Sequence, residues 1–171
     1  IPEDNLIGRT SPERTRRLLT ACAECHFNTV RVWGGGYYPE DWFLDACDEL
    51  GIIVWLDLMY ACNVYKLTDA FEQNIVAETR DNLLRMRHHA CIGLLCGNNE
   101  METGWTDWAP VANLSKALKA DYIKQFEYVL KKQCRALAPQ IDYWPSSPSS
   151  GGSFDDPNGY DRGDVHCWDV W

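Results

Sequence analysis

Two amides and a carboxylate, Asn98-Asn99-Glu100, stand at the abrupt end of the apolar run Ile92-Gly93-Leu94-Leu95-Cys96. A run of that length reads as a buried strand, and α/β barrels keep their chemistry at the C-terminal ends of such strands. A carboxyl held there beside an amide suits a general acid placed next to a scissile glycosidic oxygen, so Glu100 is the first catalytic candidate. Asn99 could donate a hydrogen bond to a sugar hydroxyl and orient the ring. The bland alternative for Glu100 is a carboxylate that complements the dipole of a following helix. Met101-Glu102 lead on to an aromatic pair, Trp105 and Trp108.

Other strand ends offer further candidates. Arg31 and Trp33 share a strand face by parity, so a Trp33 at the mouth of a barrel puts Arg31 inside, below it, where it needs a carboxylate partner. Arg31 then either orients catalytic carboxylates or forms a structural ion pair under the site. Asp57 ends the next strand, and a structural role in satisfying buried donors is favoured for it. His166 and Trp168 lie two apart near the chain end and would share a strand face, lining a sugar subsite or filling core. Gly34-Gly35-Gly36 has no Gly-Lys-Ser/Thr sequel and the wrong spacing for a dinucleotide fingerprint, so it reads as a tight turn. Cys22-Ala23-Glu24-Cys25-His26 has the spacing of a c-type haem attachment site, yet both cysteines fall on the apolar face of a helix end, where haem has no room. His88-His89 precedes the Glu100 strand, at the opposite end from the candidate site, and reads as structural. No His/Cys cluster has zinc-like spacing, and no metal or cofactor is expected.

The elements that would position these residues alternate. Ser11-Pro12 is an N-cap and first helical position, followed by Leu18, Leu19, Cys22 and Cys25 at helical spacing, with the helix ending near His26. Asn28 to Trp33 reads as a strand, Pro39 to Leu50 as a helix closed by Gly51, Ile52 to Leu58 as a strand, and Thr68 to Arg87 as a helix. After the Ile92 to Cys96 strand come a helix from Asp121 to Leu137, closed by Pro139, a short strand Ile141 to Trp144, a loop from Phe154 to Gly163, and a fifth strand from Asp164 to Trp171. Five strands and four substantial helices in alternation predict a parallel α/β sheet, and functional residues at several strand ends favour a (β/α)8 TIM barrel over a doubly wound sheet. A closed barrel takes about 250 residues; 171 residues with five strands predict a partial one.

Composition narrows the partners. With 46% hydrophobic residues the chain can bury a core, and 16 basic against 25 acidic residues give a net charge of −9, which disfavours nucleic acid. No apolar run reaches the roughly 20 residues of a membrane span, so no membrane partner is expected. Cys47, Cys91 and Cys134 have apolar neighbours, and the eight cysteines read as mostly free thiols, which leans toward the cytoplasm although the compartment itself is unreadable. Eight tryptophans and eight tyrosines suit sugar-binding surfaces and cores alike.

Taken together, Val30-Arg31-Val32-Trp33-Gly34-Gly35-Gly36-Tyr37-Tyr38, Gly51-Ile52-Ile53-Val54-Trp55-Leu56-Asp57, Cys96-Gly97-Asn98-Asn99-Glu100 and Ser146-Ser147-Pro148 resemble the catalytic barrel of β-mannosidases in glycoside hydrolase family 2. Gly163 to Trp168 looks like the sixth strand of that barrel. The resemblance spans nearly the whole chain and implies that residues 1–171 are part of one catalytic domain, truncated at both ends and holding roughly strands 2 to 6. It implies a retaining exo-acting enzyme that removes terminal β-linked mannose from β-mannosides. Glu100 would be general acid and then base, and Asn99 would hold the 2-hydroxyl. Trp33 and Trp108 would line the mannose subsite, while Arg31 and His166 would support carboxylates and sugar. Leu56 departs from the pattern, since relatives often carry glutamine there. The family's nucleophilic glutamate would follow Trp171, and Ile1-Pro2-Glu3-Asp4 resembles sequence just after the first barrel strand, so the isolated chain is expected to be inactive and marginally stable. Related readings are a β-galactosidase, β-glucuronidase or exo-glucosaminidase; from other classes, a non-catalytic carbohydrate-binding module or a haem protein.

Overall fold

The computed structural model describes residues 6–169. The expectation for Ile1-Pro2-Glu3-Asp4 and the last two residues of the expected fifth strand lie outside them. After a single 3-10 turn at Ile7–Arg9, α1 runs Pro12–Glu24, with Ser11 accepting from the Arg14 amide at 3.2 Å and Pro12 at the first helical position. β1 (Thr29–Val32), α2 (Asp41–Leu50), β2 (Ile53–Asp57), α3 (Asp69–Met86) and β3 (Ile92–Cys96) follow as the patterns predict. Gly51 ends α2 in the left-handed conformation (φ 69°), and Thr68 caps α3 by accepting from the Phe71 amide.

Four strands form one wholly parallel sheet in the order β1-β2-β3-β4, where β4 is Asp142–Trp144. Consecutive parallel neighbours need crossovers, and because crossovers follow one hand as a rule, helices that join neighbours in a single direction fall on the same side of the sheet. Burial agrees. Val30, Val32, Val54, Leu56, Leu95 and Tyr143 pack with Leu19, Phe43, Leu44, Ile75, Leu83, Phe126 and Leu130 into one core. On the other face Arg31, Trp55, Leu94 and Trp144 are half-buried and Ile53 is 49% exposed. Leu56 points into the helix side and is fully buried.

Two expectations change. The helix expected at Asp121 to Leu137 starts earlier and is not uniform: α6 (Lys116–Tyr122), capped by Ser115, passes into a π-helical stretch, Ile123–Val129, and then α7 (Leu130–Leu137). Two short helices, α4 (Met101–Asp107) and α5 (Ala109–Ala112), precede it. The expected strand from Asp164 does not form among the described residues; Asp164 makes one antiparallel bridge to Ser149, and the chain then runs on irregularly. Asp164 spends its carboxylate on the Trp144 indole N–H, the Ser149 amide and the Ser147 hydroxyl, which holds the segment across the end of β4 instead of along its edge. A strand needs a continuous ladder, and this crossing provides none.

All eight cysteines are thiols rather than disulfides. Cys47, Cys91 and Cys134 are buried in the core, Cys22 packs partly against it, and Cys25 is exposed. His89, at the far end of the sheet, contacts Asp48 at 2.8 Å, and Asp48 also takes the Cys91 amide. No helix among the described residues is long and apolar enough to cross a membrane.

Candidate active site

The site grows from the ends of β1, β2 and β3. Asp57, fully buried at the end of β2, accepts from Arg31 Nε at 3.1 Å and Nη2 at 2.7 Å, from the Gly34 amide at 2.9 Å and from the Trp55 indole at 2.9 Å. Four donors on one carboxylate fix the Arg31 guanidinium in a forked pair and anchor the loop after β1. The triple glycine makes the turn the sequence suggests. A Cβ on Gly34 would strike the Leu58 and Tyr60 carbonyls, and the Trp33 indole lies over Gly35, where a side chain would displace it. Trp33 is 44% exposed in this arrangement and stands outside the cleft that Glu100 lines.

Beyond β3 the backbone turns sharply. Glu100 itself adopts the left-handed conformation (φ 60°, ψ 11°), which is costly for a residue with a Cβ and persists only when its surroundings hold it. They do. The Glu100 amide donates to the Ser147 carbonyl at 2.8 Å, and the Asn99 amide to the Tyr60 carbonyl at 2.9 Å. Asn98, fully buried, brackets the turn: its Oδ1 accepts from the Met101 amide and the Ser146 hydroxyl, and its Nδ2 donates to the Pro145 carbonyl. Although Glu100 precedes α4, its side chain makes no capping bond and turns to His166 instead, with His166 Nδ1 and Glu100 Oε1 2.7 Å apart.

Hydrogen-bond roles follow from chemistry. His166 Nε2 lies 3.0 Å from both Arg31 Nη1 and the Ser147 hydroxyl; a guanidinium can only donate, so toward Arg31 this nitrogen is an acceptor and the ring proton on Nδ1 is donated to Glu100. By the same rule the Asn99 atom 3.0 Å from Arg31 Nη2 is its oxygen, leaving the amide nitrogen 3.3 Å from the Cys62 sulfur. Asn99 is almost fully buried (3% exposed) and braces Arg31 without entering the cleft lining. The second Glu100 oxygen accepts from the Cys62 thiol at 3.5 Å. The His166 hydrogen bond is the main influence that holds Glu100 below the ordinary carboxylate range; burial opposes it, and Cys62 and Arg31 assist.

Glu100 and His166, each with a side chain 18% exposed, open onto a cleft of about 390 Å³ with Asp107, Trp108, Asn158 and Trp168. Trp108 is placed there by packing against Gly104 of α4, whereas Trp105 is buried in the core. Trp168 is 66% exposed at the rim, not in a strand face. Asp107 shares the cleft, one of its oxygens accepting from Asn158, and three further carboxyls are committed elsewhere. Asp57 holds Arg31, Asp164 holds the loop after β4, and Glu102 points inward, its Oε1 accepting from the Phe154 amide, with burial raising its proton affinity. No group of three or more His, Cys, Asp or Glu side chains that could hold a metal ion occurs among the described residues.

The structure thus brings Glu100, Asn99, Arg31 and His166 into one hydrogen-bonded group and puts Trp108 and Trp168 along the cleft, with Trp33 half-exposed at the end of β1. Sequence reasoning missed Cys62 and the tie made by Asp164, and it gave no supporting role to Asn98 or Ser147, although both stood in the motifs it singled out. The available signal was position, since Cys62 lies in the loop after β2 at the active end of the sheet.

No family model matches the chain. It is 38% identical to a β-mannosidase B of Thermothelomyces thermophilus over 180 aligned positions and 35% identical to one of Emericella nidulans over 181, in each case over 100% of this chain and 21% of the relative. The crystal structure of a β-D-mannosidase from Dictyoglomus thermophilum superposes on all of it with a TM-score of 0.88 and 38% identity, through 20% of that protein. A Bacteroides uniformis β-glucuronidase, 21% identical with a TM-score of 0.63 over 79% of the chain, shares the fold. The chain spans about a fifth of the length of the curated relatives it matches. Along its whole length the chain is similar to β-mannosidases.

Proposed function

We propose that this chain is a segment of the catalytic (β/α)8 barrel of a retaining exo-β-mannosidase, in which Glu100 is the general acid and then the general base. The observation that carries the reading is Glu100 itself, its left-handed backbone held at a strand end by the Ser147 carbonyl, its carboxylate bonded to His166 and facing a cleft with two tryptophans. Similarity to β-mannosidases along the whole chain, and the singly covered parallel sheet, support the substrate and the barrel.

In this chain the His166 hydrogen bond holds Glu100 ionised, below the ordinary carboxylate range. An acid role needs its proton affinity raised, and a second carboxylate about 5 Å away, the spacing of retaining enzymes, raises it by like-charge repulsion. Once that nucleophile bonds to the sugar its charge is gone, and Glu100 returns to the low value suited to activating water. The family resemblance puts the nucleophilic glutamate on a strand other than β1 to β4, so the isolated chain turns nothing over. Arg31, pinned by Asp57, fixes the His166 tautomer and thereby the direction of the Glu100 carboxyl. Trp108 and Trp168 offer ring faces to the sugar and leaving group.

The test is Glu100→Ala in the full-length protein, assayed on an activated aryl β-mannoside whose leaving group needs no acid. The variant stalls at deglycosylation, and azide restores turnover by replacing the water that Glu100 would activate. Wild-type turnover by the variant without azide would sink the assignment.

A further inference from the structure

The mechanism above uses one oxygen of Glu100. The other faces Cys62, a residue whose own placement is over-determined. Cys62 has a left-handed backbone (φ 51°), unusual for a residue with a Cβ, and its amide donates to the Asn99 carbonyl at 3.0 Å. Ala61 pairs with Asn99 in a parallel bridge next to it. The loop after β2 is therefore tied, backbone to backbone, to the residue that precedes Glu100. Its thiol is the end of a path that starts at the other Glu100 oxygen: Oε1 to His166 at 2.7 Å, His166 to Arg31 at 3.0 Å, Arg31 to Asn99 at 3.0 Å, Asn99 to the Cys62 sulfur at 3.3 Å, and the thiol back to Glu100 Oε2 at 3.5 Å. Each partner along the path has a role fixed by its neighbour, because Arg31 only donates and the Asn99 nitrogen only donates.

Resting on the assignment of Glu100 as acid and base, we propose that Cys62 is a positioning residue of this site: its thiol closes a ring of hydrogen bonds that holds the second Glu100 oxygen and sets the direction in which the carboxyl meets the glycosidic bond. Burial and the adjacent Glu100 charge both raise the thiol's proton affinity, so it stays protonated and able to donate. A thiol suits this place because it serves both forms of Glu100. It donates weakly to the carboxylate, and its sulfur can accept from the carboxylic acid after rotation about one bond. A lysine or histidine would bias the carboxyl strongly toward the ionised form. The groups that face Glu100 are His166, Cys62 and the more distant charge of Arg31, so removing the thiol takes away one of three influences that favour the carboxylate.

The experiment compares Cys62→Ala, Cys62→Ser, Glu100→Ala and the double variant Glu100→Ala/Cys62→Ala in the full-length protein. The readouts are thermal melting and the pH dependence of kcat/KM on an alkyl β-mannoside, whose poor leaving group needs the acid. Cys62→Ala lowers kcat/KM about five-fold, the loss of one ordinary hydrogen bond, and moves the alkaline limb of the profile to higher pH. Cys62→Ser, which keeps a hydroxyl donor and acceptor, returns the limb toward wild type. On the Glu100→Ala background, assayed with the activated aryl β-mannoside, removing the thiol changes nothing further, since the group it positions is gone. An unmoved limb in Cys62→Ala, or an equal loss on the Glu100→Ala background, overturns the positioning role and leaves Glu100 in place. A Glu100→Ala variant as active as wild type on the alkyl substrate overturns the functional reading itself, and the inference with it.

Discussion

Asp57 carries the heaviest load of any single side chain at this site, with four donors on its two oxygens and no exposure to solvent. Asp57→Asn removes the charge that pairs Arg31 and turns one acceptor into a donor facing other donors. Breaking a buried pair costs about 3 kcal/mol, toward the lower end of the usual range because the Arg31 side chain keeps 27% of its exposure. The variant's urea midpoint falls accordingly, and activity of the full-length protein falls with it as Arg31 releases His166. Glu100 makes a second prediction. Its folded-state proton affinity lies below the ordinary carboxylate value of 4.5, so the folded state binds fewer protons than the unfolded chain between the two values. The stabilisation is present above that ordinary value and is lost as pH falls through the lowered one. Between about pH 6 and about pH 3.5 the wild type therefore loses more stability than Glu100→Gln, as compared by urea unfolding. Equal losses in both proteins would show that the His166 contact does not favour the ionised form. Of these residues, Glu100 and Asn99 were legible in the sequence as polar side chains that end an apolar run. The partner of Arg31 was legible only as a need, met by Asp57, which the sequence already favoured as structural.

At the scale of elements, the end of β3 must come very close to the end of β4 for Glu100 to reach the Ser147 carbonyl. Gly97 permits it. A Cβ there would strike the Pro145 carbonyl and the Tyr143 hydroxyl, and the Tyr143 hydroxyl is itself fixed by donating to the Phe126 carbonyl at 2.7 Å. Gly97→Ala therefore costs about 2 kcal/mol by overpacking and shifts the Glu100 turn. Thermal melting reads the first effect, and a lower kcat in the full-length protein reads the second. A silent substitution would mean that the two strand ends have slack. Strands and helices as far as β3 were legible because their burial is periodic. The π-helical stretch at Ile123–Val129 was not, since its apolar spacing still fits a helix and the wider turn is set by packing: the Tyr122 and Phe126 rings meet 5.0 Å apart, and Tyr60 meets Phe126 edge-on at 5.4 Å. The strand expected from Asp164 to Trp171 does not form among the described residues, for a related reason. Alternation in Asp164 to Trp168 marks a possible strand, but pairing is a property of the neighbour, and Asp164 ties the segment across the end of β4.

For the whole molecule, helices cover one face of the sheet, and the other face leaves Ile53 49% exposed. The outer strands β1 and β4 have no sheet partner on their far sides among the described residues. Open edges beside an apolar face favour association, so the 171-residue chain alone melts broadly and grows in size with concentration by light scattering. A sharp, concentration-independent monomeric transition at ordinary temperature would contradict this. By itself the sequence determined the parallel α/β architecture, because strand and helix periods and their caps are local and Ser11, Gly51 and Thr68 mark element ends through their own backbone and side-chain chemistry. It also determined the resemblance to β-mannosidases and the place of Glu100 at a strand end. Only the tertiary structure decided that His166 bonds one Glu100 oxygen from 66 residues away, that Trp105 is core, and that Cys62 closes on the second Glu100 oxygen. Those contacts join loops remote in sequence, and no local period encodes which way a loop side chain turns; packing of the strand ends against one another does.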